Sequence, residues 1–187
     1  MKYLFVVTGI GFGHATRVDS VISEIENKDK DAEFHIATFG TAYGYFKKRF
    51  PITQIYGQKF TSNSPKVESF KVLMNNLNYP LHYFKNIKII KQVIEEFDPD
   101  VVISDAQPEG IAAAKDMNKP SVFMYNLDLS HIDYKKKFGV YTWFVIKSTK
   151  FSHKNADKII IPVLTQTQRI EGRKYYINPI IREHPAR

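Results

Sequence analysis

Residues 3–14 read Tyr3-Leu4-Phe5-Val6-Val7-Thr8-Gly9-Ile10-Gly11-Phe12-Gly13-His14. The first six form an apolar run of strand length, which is typical of a strand buried on both faces of a parallel sheet. The three glycines allow a tight turn and a close approach of the backbone to a ligand. Behind them, apolar residues recur at helical spacing and predict a helix over residues 14–26. The pattern therefore predicts a strand, a glycine turn and a helix whose N-terminus faces a ligand, which suits phosphate or another anion.

Strands and helices continue to alternate along the chain. Strands are predicted at residues 33–38, 52–56, 101–104, 121–125, 158–162 and 175–177, and helices at residues 41–50, 80–97, 108–117 and 141–151. We expect an extended loop or lid over residues 57–79, with helical character in residues 67–77, and a polar loop over residues 126–138. The alternation predicts an α/β fold, a Rossmann-like doubly wound and mostly parallel sheet with helices on both faces.

The composition fits a globular domain in a reducing compartment. Of the 187 residues, 43% are hydrophobic and none is cysteine, which excludes disulfides and cysteine-bound metals. The histidines show no metal-ligand spacing, so we expect no metal site. The apolar run at residues 3–8 is too short for the core of a signal peptide, and no transmembrane segment is apparent, so we expect a cytoplasmic protein.

The chain carries a formal net charge of +8. Such a surplus suits an anionic partner, or it reflects solvated faces without a dedicated partner. No nucleic-acid-binding motif and no basic stripe accompany the charge, so we do not expect nucleic acid as a partner.

The glycine turn departs from the dinucleotide-binding fingerprint. That fingerprint, Gly-x-Gly-x-x-Gly, needs a glycine where His14 stands, and Thr38-Phe39-Gly40 occupies the place where an acidic residue is expected. An NAD-linked dehydrogenase is therefore disfavoured. A histidine in the first turn of a helix that faces a ligand crevice can act as a general base near neutral pH. A hydrogen bond to substrate, a helix cap or packing against the sheet are the other readings of His14.

Asp105 follows the predicted strand at residues 101–104 and lies at the same carboxyl edge of the sheet. Because this edge forms the crevice of an open α/β sheet, we expect His14 and Asp105 to meet, with Asp105 orienting the imidazole and stabilising its protonated form. Asp105 could instead cap the helix that starts near Pro108. Gln107 and Glu109 follow in the same loop, where they either contact polar groups of an acceptor or are exposed residues of the helix N-terminus.

Three segments resemble those of GT-B glycosyltransferases. Residues 11–17, Gly-Phe-Gly-His-Ala-Thr-Arg, resemble the Gly-x-Gly-His-x-x-Arg segment that follows the first strand. Residues 98–105 resemble the Pro-Asp-x-Val-x-x-Asp segment of the same domain. Residues 178–182 resemble the Gly-Pro-Ile-x-Arg segment at the junction of the two GT-B domains, with Asn178 replacing the glycine. The most similar branch contains the lipid-linked N-acetylglucosaminyltransferase of peptidoglycan synthesis and UDP-glucuronosyltransferase-like proteins.

The resemblance implies a domain organisation and a mechanism. Residues 1–177 would form a Rossmann-like acceptor-binding domain, and residues 178–187 would begin the linker to a donor-binding domain that this chain lacks. A sugar would move from a nucleotide sugar, a UDP-sugar above all, to an acceptor hydroxyl, without a permanently bound cofactor or metal. His14 would be the base and Asp105 its support. The acceptor- or phosphate-binding residues would be Gly9, Gly11, Phe12, Gly13, Arg17, Gln107 and Glu109. We expect the isolated chain to be inactive, with the donor-binding half supplied by a further domain or a partner chain.

Two other functions fit the same patterns. One is a non-catalytic α/β module that binds a nucleotide or phosphorylated metabolite, and the other is half of a sugar-nucleotide epimerase. Transferases that resemble this chain often act on lipid-linked acceptors at the membrane surface. Residues 79–91 and 134–150 interleave aromatic residues with lysines, a pattern that suits peripheral membrane contact. Core-facing aromatics with solvated lysines are the alternative.

Overall fold

The computed structural model describes residues 1–58, 74–126, 140–163 and 168–180, which form alternating strands and helices. In chain order the elements are β1 (Lys2–Val7), α1 (Phe12–Lys28), β2 (Glu33–Thr38), α2 (Gly40–Phe46), β3 (Ile52–Gln54), α3 (Tyr79–Phe97), β4 (Val101–Asp105), α4 (Pro108–Asp116), β5 (Ser121–Met124), α5 (Val140–Asn155), β6 (Lys158–Pro162), β7 (Arg169–Glu171) and β8 (Lys174–Ile177).

The strands form one sheet in the order β3-β2-β1-β4-β5-β6-β8-β7. Every neighbouring pair is parallel except β7 and β8, which form an antiparallel pair at one edge. The chain winds outward from β1 in one direction through β2 and β3, and then in the other direction from β4 onward. This confirms the predicted doubly wound sheet, and it places the topological switch point between β1 and β4.

The core lies on both faces of the sheet because successive side chains of each strand point in opposite directions. On one face, Phe5 and Val7 of β1 pack with apolar residues of α1 and α2. On the other face, Leu4 and Val6 pack with apolar residues of α3 and α4. Since both faces of β1 are covered by helices, its sequence is a continuous apolar run rather than an alternating one.

Two glycines of the turn after β1 are required by the backbone. A Cβ atom on Gly9 would lie 1.7 Å from the carbonyl oxygen of Phe39, so no other residue fits there. Gly11 precedes α1 with a φ of 69°, a left-handed conformation that favours glycine. Gly13 differs from both, because a Cβ there would meet open space.

Several boundaries differ from the predicted ones. Helix α1 begins at Phe12, two residues earlier than predicted, and α2 ends at Phe46 because the following residues form a turn. Strand β7 was not expected from the pattern, since all three of its residues are exposed and carry no apolar periodicity. Most of the predicted lid and of the polar loop after β5 lies outside the described residues, and so do residues 181 and 182 of the junction segment. None of the helices in the described ranges is long and apolar enough to cross a bilayer.

Candidate active site

The carboxyl ends of β1 and β4 lie side by side and carry the two central residues of the site. Val7 pairs with Asp105 in the register of the sheet, and the Thr8 N–H donates to the Asp105 carbonyl oxygen over 3.1 Å. The chain that leaves β1 passes through the glycine turn into α1, whose third residue is His14. The sheet register and the short turn therefore bring His14 to Asp105, although 91 positions separate them in the sequence.

His14 and Asp105 are in direct side-chain contact. The His14 Nδ1 atom lies 3.0 Å from Asp105 Oδ2, and Asp105 is fully buried whereas the His14 side chain is 24% exposed. A carboxylate accepts hydrogen bonds only, so this contact is a hydrogen bond when the proton lies on Nδ1 and the lone pair on Nε2. The alternative role of Asp105 as a helix cap is not observed. The N-cap of α4 is Gln107, and no side-chain hydrogen bond caps that end.

A buried arginine shares Asp105 with His14. The Arg17 guanidinium donates from Nη2 to Asp105 Oδ1 and from Nη1 to Asn126 Oδ1, and Nη2 lies 3.0 Å from His14 Nδ1. The Arg17 side chain is only 10% exposed, and its charge compensates the buried carboxylate. The sequence predicts Arg17 as a ligand-binding residue. In the structure its guanidinium contacts Asp105 and Asn126, because the buried charge of Asp105 needs a partner.

A cavity of about 290 Å³ opens beside His14. A volume of this size holds a ring-sized part of a ligand rather than a whole nucleotide sugar. The other residues that line it follow strands β1, β3, β4 and β5 or belong to α3, α4 and α5. They include Thr8, Gln58, Ala106, Asn126, Tyr79, Pro108 and Thr149.

The sequence patterns do not single out Asn126, Tyr79 or Ala106. Asn126 lies two residues beyond β5, so the rule that ligand-binding residues follow the strands at the carboxyl edge would have found it. Tyr79 begins α3 far from the strand ends, and no local signal marks it. Ala106 has a φ of 54°, a conformation that costs a non-glycine residue roughly 1–2 kcal/mol. Its N–H donates to the Met124 carbonyl oxygen over 2.9 Å, which holds this strained residue in the cavity wall.

Gln107 and Glu109 lie behind the cavity wall. Gln107 is 3% exposed and Glu109 is fully buried, so the alternative that they are exposed helix residues is wrong. The Thr8 hydroxyl donates to Gln107 Oε1 over 2.9 Å. Glu109 Oε1 accepts hydrogen bonds from the Tyr79 hydroxyl and from Asn86 Nδ2, each at 3.3 Å. Both residues thus hold side chains that line the cavity or adjoin it.

The surroundings of Glu109 change its protonation. Burial raises the pKa of Glu109 to about 7, although hydrogen bonds from Asn86 and Tyr79 act in the opposite direction. Glu109 Oε2 has no hydrogen-bond partner among the residues that the structure describes. Burial, and next the charge of Glu109, raise the pKa of the Tyr79 hydroxyl, so Tyr79 keeps its proton.

The glycine turn has a buried part and an exposed part. The Gly9 carbonyl oxygen accepts hydrogen bonds from the Thr41 N–H at 3.1 Å and from the Thr41 hydroxyl at 2.8 Å, so Gly9 shapes the turn. Gly11, Phe12 and Gly13 are exposed at the N-terminus of α1, where no side chain caps the helix. The free N–H groups at this end suit an anionic ligand.

The described residues contain no cluster of three or more His, Cys, Asp or Glu side chains that could hold a metal ion.

An open, mostly parallel sheet with its cavity at the switch point makes this a Rossmann-like α/β protein, and its fold matches that of GT-B glycosyltransferases. It is similar to Acinetobacter baumannii MurG, with a TM-score of 0.61 and 12% identity over 94% of this chain and 45% of that one. It is also similar to CalG4, the calicheamicin glycosyltransferase, with a TM-score of 0.66 and 13% identity over 95% and 52% of the two chains. At these identities the likeness shows the fold.

The sequence comparison gives the family. The model of glycosyl transferase family 1 matches residues 1–183, and the chain belongs to this family. It is 28% identical to an uncharacterized glycosyltransferase of Methanosarcina mazei, over 98% of this chain and 49% of that protein. A similar protein of Methanosarcina acetivorans is 27% identical, over 98% of this chain and 52% of that protein. The chain thus spans about half the length of the curated relatives that it matches.

Proposed function

We propose that the chain is the acceptor-binding half of a nucleotide-sugar-dependent glycosyltransferase, in which His14 activates an acceptor hydroxyl. The observation that carries this proposal is the 3.0 Å contact between His14 Nδ1 and Asp105, beside a cavity in a family 1 glycosyl transferase domain. The contact leaves the second ring nitrogen of His14 able to accept a proton.

In the proposed reaction, the acceptor hydroxyl lies in the cavity and donates its proton to His14 Nε2. The acceptor oxygen forms a bond to the anomeric carbon of the sugar, while the bond from that carbon to the nucleotide phosphate breaks and the nucleotide leaves with the electron pair. Asp105 stabilises the imidazolium that forms, as in other dyads of this kind. Arg17 balances the buried charge of Asp105 and holds Asn126 at the cavity wall.

A UDP-sugar is the proposed donor. The exposed N-terminus of α1, with the backbone of Gly11, Phe12 and Gly13, faces the side on which its phosphates would lie. The larger part of the donor would be held by a second Rossmann-like domain, joined through a linker that begins near residue 178. The length of the curated relatives, about twice that of this chain, supports this arrangement.

The test is a transfer assay on the chain combined with its donor-binding half. UDP-sugars are offered with a library of hydroxyl compounds, and mass spectrometry detects the glycosylated products. We expect His14→Ala to lower turnover at least about 100-fold, because general-base catalysis contributes that much. Thr16→Ala is the matched control, since the Thr16 hydroxyl donates to the carbonyl oxygens of Phe12 and Gly13 in its own helix.

Two results would contradict the proposal. Unchanged turnover in the His14→Ala protein would remove His14 as the base. Robust transfer by the 187-residue chain alone would show that no second half is needed.

The fold also fits half of a sugar-nucleotide epimerase. The UDP-GlcNAc 2-epimerase of Methanocaldococcus jannaschii has a TM-score of 0.54 with this chain, at 12% identity over 87% of the chain and 40% of that protein. The family match favours sugar transfer. The same assay separates the two functions, because an epimerase converts the sugar nucleotide without any acceptor. A non-catalytic binding module would bind the nucleotide and convert nothing.

We also propose that the protein is cytoplasmic and that α3 and α5 touch a membrane surface. Leu77, Leu81, Phe84 and Trp143 are each more than half exposed. Exposed lysines lie on the same two helices, and the Lys147 ammonium lies 5.7 Å from the ring of Trp143. An apolar surface with flanking lysines suits an interface with anionic lipid. Not every aromatic residue of these helices takes part, because Tyr79 and Tyr83 are buried. Residue 134 lies outside the described part of the chain.

We expect the chain to sediment with vesicles that contain anionic lipid at low salt, and to be released as salt screens the lysines. Replacing both Leu81 and Phe84 with Ser should abolish sedimentation, because these side chains are 63% exposed and would supply the apolar contact. Glu95→Ser on the outer surface of α3 is the control. Failure of the unaltered chain to sediment at low salt would remove the membrane proposal.

A further inference from the structure

A chain of buried polar contacts ends at the cavity. The Tyr79 hydroxyl donates to Glu109 Oε1 over 3.3 Å, and the side chain of Gln58 hydrogen-bonds the same hydroxyl. Tyr79 and Gln58 line the cavity, whereas Glu109 is fully buried behind them. The protonation of Glu109 therefore affects whether the Tyr79 hydroxyl in the cavity wall donates or accepts a hydrogen bond.

Aromatic packing fixes the ring of Tyr79. Its ring meets the rings of Tyr141 and Phe144 of α5 edge to face, with centroids 5.8 Å and 6.0 Å apart. Tyr79 is 2% exposed, so its ring has no room to turn into solvent. The hydroxyl oxygen therefore stays in place, and only the direction of its proton is free to change.

Asn86 connects Glu109 to the segment that carries Gln58. Its Nδ2 atom donates both to Glu109 Oε1, at 3.3 Å, and to the Tyr56 carbonyl oxygen, at 2.9 Å. Its Oδ1 atom accepts from the Tyr56 N–H at 2.8 Å. Tyr56 lies two residues before Gln58, so one buried network holds both polar residues of this part of the wall.

The charge of Glu109 decides the direction of the hydrogen bond. A carboxylate only accepts hydrogen bonds, so the Tyr79 hydroxyl donates its hydrogen bond to an ionised Glu109. The lone pairs of the Tyr79 oxygen are then left for Gln58 and for a ligand in the cavity. The pKa of Glu109 is raised to about 7, and the ionised form therefore prevails at pH 8.5. Tyr79 itself stays protonated, as does Tyr83, the other tyrosine of α3 that the charge of Glu109 affects.

We infer that Tyr79, with its proton held by Glu109, is a specificity-determining residue of the acceptor site and accepts a hydrogen bond from a hydroxyl group on a ring-sized acceptor. This inference rests on the proposed function, in which the acceptor occupies this cavity. It adds a second contact to the acceptor, distinct from the proton transfer at His14.

The test is an NMR titration of the 187-residue chain at pH 8.5 with cyclohexanol and, separately, with cyclohexanone. The two probes have the same ring size, and only the alcohol donates a hydrogen bond. We expect the chain to bind cyclohexanol about fivefold more tightly, the effect of one hydrogen bond. Tyr79→Phe should abolish this preference, because it removes the hydroxyl and keeps the ring packing.

Glu109→Leu should abolish the preference. Leucine cannot accept a hydrogen bond, so the Tyr79 proton is then free to point at the cavity and to bind the ketone. Tyr83→Phe is the matched control and should keep the preference for the alcohol, since Tyr83 is a buried tyrosine on the same helix that does not line the cavity. The NMR spectra also show whether each variant is folded.

Three results would overturn the inference: equal binding of the two probes to the unaltered chain, an unchanged preference in both the Tyr79→Phe and the Glu109→Leu proteins, or no measurable binding of either probe. The inference and the proposed function fail separately. The titration involves no sugar transfer, so its outcome does not depend on whether His14 acts as the base.

Discussion

Asp105 is a fully buried carboxylate with two nitrogen-bearing partners, His14 and Arg17. The guanidinium of Arg17 compensates the charge permanently, and the imidazole of His14 contacts the other carboxylate oxygen. A buried carboxylate with His14 alone would have no permanent counter-charge. Arg17 therefore stabilises an ionised Asp105 beneath the cavity.

We expect Arg17→Met to lower the free energy of unfolding by about 3–5 kcal/mol, because it leaves the charge of Asp105 buried without its cation. Adding Asp105→Asn to this variant should restore part of the loss. Urea denaturation of the single and double variants measures the coupling between the two residues. Arg49→Met is the control. Arg49 also pairs with a buried aspartate, Asp19, but its side chain is 43% exposed, so the loss should be clearly smaller.

Strictly additive effects of the two substitutions would contradict this view of the ion pair. Equal losses in the Arg17→Met and Arg49→Met proteins would contradict it as well.

The residues of the site differ in how far the sequence predicts them. His14 and Asp105 follow from the rule that parallel strands present their carboxyl ends at one edge. Arg17 was noted because it ends the segment at residues 11–17 that resembles GT-B proteins. That segment does not reveal its partner, because Asp105 lies 88 positions away. Tyr79 lies at the cavity only because α3 packs against α4 and α5, which no local pattern encodes.

The start of α4 shows how a secondary-structure element can hide a titratable group. Glu109 is the second residue of this helix, where an acidic side chain is expected to be solvated and to favour the helix dipole. Instead α3 covers it, and Tyr79 and Asn86 hydrogen-bond to it. The cover explains why its pKa rises from 4.5 to about 7.

The stability of the domain should therefore depend on pH through Glu109. Its folded pKa exceeds the unfolded one, so the folded state holds the proton more tightly, and this contribution is fully present below about pH 4.5. It is lost as the pH rises to about 7, at a cost of roughly 3 kcal/mol. Glu109→Gln should remove this loss. The difference in free energy of unfolding, variant minus unaltered chain, should therefore be larger at pH 8 than at pH 5. Urea denaturation at several pH values measures it.

Glu95→Gln, on an exposed position of α3, should leave the pH dependence as it is. An equally steep fall in stability for the Glu109→Gln protein would contradict the effect.

The strands were predictable to the extent that they are buried. Both faces of β1 and β4 are covered by helices, and their sequences are accordingly continuous apolar runs. Strand β7 is an exposed edge strand of three residues, and its pairing depends on the turn at Gly172, which has a φ of 58°. Such a strand carries no apolar pattern, so the sequence alone does not indicate it.

At the scale of the molecule, the sheet assembles the site. The order β1-β4 at the switch point brings the turn after β1 against the end of β4, and β5 adds Asn126 from the next position. Helices α3 and α5 close the cavity from the other side. The fold class was predictable because each strand that is buried on both faces is a continuous apolar run in the sequence. The cavity was not, because it depends on how the helices pack across the sheet.

The protonation of the His14 ring tests the central claim most directly, because the contact with Asp105 exists only when the whole sheet is assembled. A ¹H–¹⁵N correlation spectrum of the 187-residue chain at pH 8 distinguishes the two neutral forms of the imidazole. The proposed mechanism predicts that His14 carries its proton on Nδ1, with Nε2 unprotonated and ready to accept the acceptor proton. A proton on Nε2 would contradict it, because the only lone pair of the ring would then lie on Nδ1, which faces Asp105 and Arg17 rather than the cavity.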